Sequence, residues 1–168
     1  YLEEYLENCF SLVFAGNIGK AQSIETLIGA AQQLIDFPKI RIIVVGSGSM
    51  LEWAKSEAQN RALKNIVFTG SVPIEVMPPL FAKAKALLVT LNSSEIFSYT
   101  IPSKVQAYMN AGRPIIASIN GEAARVIEEA QAGLTCPAGD HRALAAKIIQ
   151  FFNMSKCERD IMAGNSKR

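Results

Sequence analysis

From Phe10 onward, short apolar runs alternate with longer stretches in which apolar residues recur every three or four positions. The short runs predict strands over 11–15, 40–45, 65–69, 86–90, 114–118 and 133–135. Their apolar character is nearly continuous, as burial on both faces requires, so the sheet is expected to be parallel and covered on both sides. The longer stretches predict helices over 23–35, 50–62, 77–84, 103–110, 122–130 and 141–153. In the first of these, Ile24, Leu27, Ile28, Ala31 and Leu34 mark the inward stripe. Residues 1–9 read as a lead-in segment and 156–168 as a terminal helix cut short by the end of the sequence. The pattern therefore predicts an α/β chain, a Rossmann-like three-layer α/β/α architecture with about six parallel strands, and a single domain over 1–168. In an open sheet of this kind ligands bind beyond the carboxyl ends of the strands, where the strand order reverses. The chemistry is accordingly sought in the loops that follow the strands.

Composition narrows the function classes. Hydrophobic residues make up 49% of the 168, and 17 Lys and Arg against 15 Asp and Glu leave a net charge of +2, so bulk electrostatics give no reason to expect nucleic acid. No apolar run approaches the roughly 20 residues that span a bilayer. The three cysteines, Cys9, Cys136 and Cys157, lack paired metal-ligand spacing and fit a reducing cytoplasm better than a disulfide framework. No secretory leader is visible, and a chain that opens on Tyr1 reads as an excised fragment. His141, the one histidine, lies at a late helix start, so a histidine-centred triad or metal site is not expected.

Five segments carry candidate chemistry. The most informative is Ile101-Pro102-Ser103-Lys104, which opens a helix closed by Gly112. The free N–H groups of such a start, with Thr100, Ser103 and Lys104 beside them, suit a phosphate or diphosphate. The loop before it is long and polar and carries Glu95, which can accept hydrogen bonds from sugar hydroxyls. Gly16-Asn17-Ile18-Gly19-Lys20 places two glycines and a cation between a strand and a helix, again suited to diphosphate, although a tight turn with a solvated lysine explains it equally well. Gly46-Ser47-Gly48 lacks the third glycine of a dinucleotide fingerprint and reads as a short turn lining a pocket, with Ser49 a candidate helix cap. Thr69 and Gly70 expose backbone groups that can meet the edge of a base or simply end a strand.

The order of these pieces over 11–152 resembles the carboxyl-terminal, donor-binding lobe of retaining family-four glycosyltransferases of the GT-B fold. The strings Gly-Asn-Ile-Gly-Lys-Ala-Gln from Gly16 and Ile-Pro-Ser-Lys from Ile101, followed by Tyr108-Met109, are similar to a bacterial surface-polysaccharide branch that includes L-fucosamine transferases. The resemblance implies a donor diphosphate on Gly19, Lys20, Thr100, Ile101, Pro102, Ser103 and Lys104, and a sugar on Glu95, Phe97 and Ser98. It implies base and ribose contacts at Gly46, Thr69, Gly70 and Gln106. Departures are equally specific. The arginine and lysine that hold the diphosphate in the broader family fall on Asn17 and Gln22, and the paired glutamates on Tyr99 and Ala107, with Gln106 or Glu122 as substitutes for the ribose ligand.

The activity implied is transfer of a hexosyl or N-acetylhexosaminyl group, with retention, from a nucleotide-diphospho-sugar, a UDP-sugar being favoured. No metal or other cofactor is implied, and no catalytic residue is assigned. The acceptor would be a saccharide or lipid-linked saccharide of capsular polysaccharide or lipopolysaccharide O-antigen. It would be held by an N-terminal lobe of the same polypeptide that this sequence lacks, so the fragment alone is expected to be inactive or nearly so. The implied location is cytoplasmic, with peripheral contact at the inner membrane face for the full-length protein. A lobe of a nucleotide-sugar epimerase and a non-catalytic nucleotide- or phosphate-binding domain are the alternatives.

Overall fold

A computed structural model describes residues 2–93 and 103–167. Six strands form the sheet: β1 (Phe10–Ala15), β2 (Ile40–Val45), β3 (Ile66–Gly70), β4 (Ala86–Thr90), β5 (Ile115–Ser118) and β6 (Gly133–Cys136). The order is β3-β2-β1-β4-β5-β6, and every neighbouring pair is parallel. Among the described residues eight α-helices cover the two faces: α1 (Leu2–Asn8), α2 (Ile24–Gln33), α3 (Leu51–Asn60), α4 (Met77–Lys83), α5 (Ser103–Asn110), α6 (Glu122–Ala130), α7 (His141–Asn153) and α8 (Lys156–Ser166).

Strand alternation divides the apolar residues between two cores. Leu12, Phe14, Ile40, Ile42 and Val44 face α2, α3 and α7, whose Leu27, Ala54, Ile148 and Phe151 complete that side. Val13, Ala15, Ile43 and Val45 face the other way, against Leu6 of α1, Leu80 of α4, Val105 and Tyr108 of α5 and Ile127 of α6. Because every central strand contributes to both cores, the sequence shows continuous apolar runs there.

The chain runs from β1 outward to β3, returns, and runs outward again from β4 to β6, so the order reverses between β1 and β4. That junction is also where pairing is thinnest. β1 matches β2 over its whole length, from Phe10 opposite Ile40 to Ala15 opposite Val45, but meets β4 only at Leu12–Ala86 and Val13–Leu87. The carboxyl ends of β1 and β4 therefore splay apart, opening a crevice at the reversal point.

The expected strands and helices are present, with differences at their ends. The segment 1–9 contains a helix, α1, because Leu6 buries against the second core while Glu3, Glu4 and Glu7 stay outside. Ser49 does not cap α3; Met50 is the residue before its first turn and donates its N–H to Ile18 O at 2.9 Å. At α7 the cap is Asp140, accepting from Ala143 N–H, while His141 packs onto Gly29 of α2, where any larger side chain would collide with the imidazole.

Candidate functional site

The base of the crevice is built from three strand ends stepped against one another. Gly16 N–H donates to Val45 O and Gly46 N–H to Gly70 O, both at 2.9 Å. Gly46 has φ +136°, and a Cβ there would lie 1.9 Å from Gly16 O, so the two loops touch backbone to backbone and only glycine fits. The Gly46-Ser47-Gly48 turn then clasps the first loop, with Ile18 N–H donating to Ser47 O at 2.9 Å. Its glycines thus brace the crevice, a requirement of packing.

The far wall is α5. Tyr108, buried to 2% exposure, aims its hydroxyl at the end of β1, accepting from Ala15 N–H at 2.9 Å and donating to Ala15 O at 3.2 Å. These are the backbone groups that β4 leaves unpaired at the splay, so one phenol closes the ladder where the partner strand departs. Burial pushes this phenol well above its ordinary pKa, so it remains protonated. One turn earlier, Lys104 lays its ammonium 3.8 Å from the centre of the Phe14 ring and against Gly16. Among the described residues it has no ion pair. Desolvation lowers its pKa from 10.5 to about 8.

Two adjoining pockets make up the crevice. The larger, about 590 Å³, is lined by Gln22, Phe81, Ser103, Lys104 and Ala107 among others. The smaller, about 400 Å³, includes Gly46, Ser71 and Val72, and both share Gly16, Asn17, Ile74 and Met77. Of the residues to which the resemblance assigns ligand contacts, Ser103, Lys104 and Gly46 line this space. Thr69 and Gly70 end the strand beside it, Thr69 donating its hydroxyl to Gly70 O at 2.9 Å. Gly19 is buried with its N–H engaged by Gln22 Oε1 at 3.1 Å, and Lys20 is exposed and does not line either pocket. Gln106 is exposed and also lies off the lining. Glu122 is held by Arg125, which keeps its carboxyl below the usual carboxylate range. Glu95, Phe97, Ser98, Tyr99, Thr100, Ile101 and Pro102 lie outside the described residues.

Two features of the site were not drawn from the sequence. Asn17 Nδ2 donates to Gln22 Oε1 at 3.3 Å, so the positions where the resemblance expects two cations form one neutral amide pair on the crevice wall. Val72, Ile74, Met77 and Phe81 supply an apolar side. Ile74 is 80% exposed in a short 3₁₀ turn after Pro73, and its signal in the sequence was an isoleucine flanked by turn and proline residues. Among the described residues no cluster of His, Cys, Asp and Glu suits a metal ion, and no helix is long and apolar enough to cross a membrane.

A partly dehydrated cation without an ion-pair partner among the described residues, beside splayed strand ends and an apolar ledge, is suited to an anionic ligand that carries a flat ring. Residues 9–154 match the family described as glycosyl transferases group 1. A probable glycosyltransferase, WbjE of Pseudomonas aeruginosa, is 31% identical over 150 residues, covering 88% of this chain and 36% of WbjE. Among solved structures, Anabaena HepE in complex with UDP superposes with a TM-score of 0.83 at 19% identity, over 98% of this chain and 44% of HepE. The C-terminal domain of LpcC, a glycosyl transferase group 1 family protein of Francisella tularensis, gives 0.76 at 17% identity, over 94% of this chain and 82% of that domain. The chain thus spans about a third of the length of WbjE and under half of HepE. By fold and by sequence, this chain belongs to the glycosyl transferases group 1 family, with the α/β/α architecture of GT-B enzymes.

Proposed function

We propose that the chain is the C-terminal, donor-binding lobe of a retaining glycosyltransferase that uses a UDP-sugar, and that it forms one domain over 1–168. The observation that carries this reading is Lys104, whose ammonium faces the crevice without a carboxylate partner among the described residues. The donor diphosphate lies between Lys104, Ser103 and the Gly16–Asn17 backbone, and the uracil ring reaches the ledge of Val72, Ile74 and Met77 beside Gly46 and Gly70. The cocrystallised UDP of HepE and the isolated C-terminal domain of LpcC support the donor and the lobe respectively. In transfer, the bond from the anomeric carbon to the diphosphate breaks, the acceptor hydroxyl adds on the same face, and its proton leaves with the diphosphate. The chain's contribution is to fix the donor and to stabilise the charge that develops on the leaving phosphate, as Lys104 does without a metal or other cofactor.

The sugar is a hexose or N-acetylhexosamine, of the fucosamine kind in the branch resembled. The acceptor is a saccharide or lipid-linked saccharide of a bacterial surface polysaccharide, held by an N-terminal lobe at the cytoplasmic face of the membrane. The O-antigen chain mannosyltransferase C of Escherichia coli, 25% identical over 143 residues, supports that setting. Titration calorimetry with UDP and GDP tests the donor class. UDP is expected to bind more tightly, and Lys104→Gln to weaken it about 10- to 100-fold, the loss of one charge-assisted contact. Failure of both nucleotides to bind, or equal affinity in the variant, contradicts the proposal.

A further inference from the structure

We infer that the opposite end of the sheet carries a second anion site, a groove that takes a phosphate group. It lies at the amino ends of β4 and β5, has a volume of about 310 Å³, and is lined by Lys85, Arg113, Lys156 and Arg159 with a single carboxylate, Asp160. Lys85 immediately precedes β4 and Arg113 lies two residues before β5, on neighbouring strands that run about 5 Å apart. The other two come from the first turn of α8.

Their placement argues against ordinary surface charge. A cation near the C-terminus of a helix is favoured by the helix dipole, which accounts for Lys85 after α4 and Arg113 after α5. The same dipole disfavours Lys156 and Arg159 at the start of α8, so these two join the groove despite it. The only carboxylate among them is already engaged, Asp160 Oδ2 accepting from Lys156 Nζ at 2.9 Å. That hydrogen bond holds the Asp160 carboxyl below its ordinary range, and Arg159 and Arg113 add to the pull. Two of the cations are set in place. Arg159 donates from Nη1 to Met154 O at 2.5 Å and stacks over the rings of Phe10 and Phe151. Arg113 lines the groove with its Nε shielded from solvent and, among the described residues, without a hydrogen-bond partner. Charge-assisted, multidentate recognition by guanidinium and ammonium groups is the chemistry of phosphate binding. The phosphate belongs either to a free phosphorylated compound or to the headgroup of an anionic lipid.

The test uses the 168-residue chain with inorganic phosphate and, separately, with vesicles of phosphatidylglycerol or phosphatidylcholine. Inorganic phosphate at about 10 mM, a concentration that saturates a site of millimolar affinity, is expected to shift the backbone amide resonances of Lys85, Arg113 and Arg159. The double variant Lys85→Gln/Lys156→Gln, altering two exposed side chains, is expected to weaken that binding at least about tenfold, whereas Lys104→Gln leaves it unchanged. Co-sedimentation with phosphatidylglycerol but not phosphatidylcholine vesicles, lost in the double variant, identifies the lipid source, and phosphate binding without vesicle binding identifies the free compound. Absence of both, or shifts that survive the double variant or vanish with Lys104→Gln, overturns the inference. None of these outcomes depends on UDP binding in the crevice.

Discussion

Burying the Lys104 ammonium against Phe14 and Gly16 strips away hydration, and no carboxylate among the described residues replaces it. The unfolded chain keeps this proton up to the ordinary value of 10.5 and the folded chain only to about 8. Below pH 8 both forms are charged and the burial cost is fully present; between 8 and 10.5 the folded form loses its proton first and stability rises. Lys104→Met is therefore expected to stabilise the chain by about 1–3 kcal/mol near neutral pH and to flatten that rise. Urea unfolding at several pH values reads both effects, and an unchanged slope in the variant contradicts the assignment. Tyr108 presents the opposite case, a buried group whose bonds are complete. Tyr108→Phe leaves Ala15 N–H and C=O unpaired at the splay and is expected to cost about 1–3 kcal/mol in the same assay, with a loss below about half a kcal/mol arguing against the bridge.

At the scale of elements, the loops after β1, β2 and β3 interlock through glycines, which fall into two kinds. Gly46→Ala drives a methyl into Gly16 O and is expected to cost at least about 3 kcal/mol, whereas Gly70→Ala meets nothing within 4 Å and pays only for φ +75°, about 1–2 kcal/mol. Comparable losses in urea unfolding would show that close approach is not what holds the loops together. Most of these elements were legible because central strands of a parallel sheet are apolar on both faces, and β4 and α5 to α7 begin and end where the pattern placed them. Helix α1 was less so, since seven residues with three glutamates give only Leu2, Tyr5 and Leu6 as an inward stripe. The crevice was half legible. Ser103 and Lys104 follow from the look of a helix start, a local property. Ile74, Met77 and Phe81 carry no such local mark, because they reach the crevice only through the crossover that brings β4 back beside β1.

For the molecule as a whole, the two ends of one sheet differ in kind. The carboxyl end opens between β1 and β4 into a crevice with Lys104 in its wall and an apolar ledge beside it, and the amino end closes under a ring of cations. A net charge of +2 conceals this polarity, since it depends on where the strands begin and end rather than on how many charges there are. The glycosyltransferase reading rests on the crevice, and its central claim is that Lys104 receives the donor's diphosphate. Calorimetry of UDP binding near pH 8.5, repeated in buffers of different ionisation enthalpy, reads this directly. A lysine with a free-state pKa of about 8 that gains a diphosphate partner takes up a proton; about a quarter of it is already protonated at pH 8.5, so uptake of about half to three-quarters of a proton per UDP is expected, and none in Lys104→Gln. UDP binding with no proton uptake, or with the same uptake in the variant, would contradict the account.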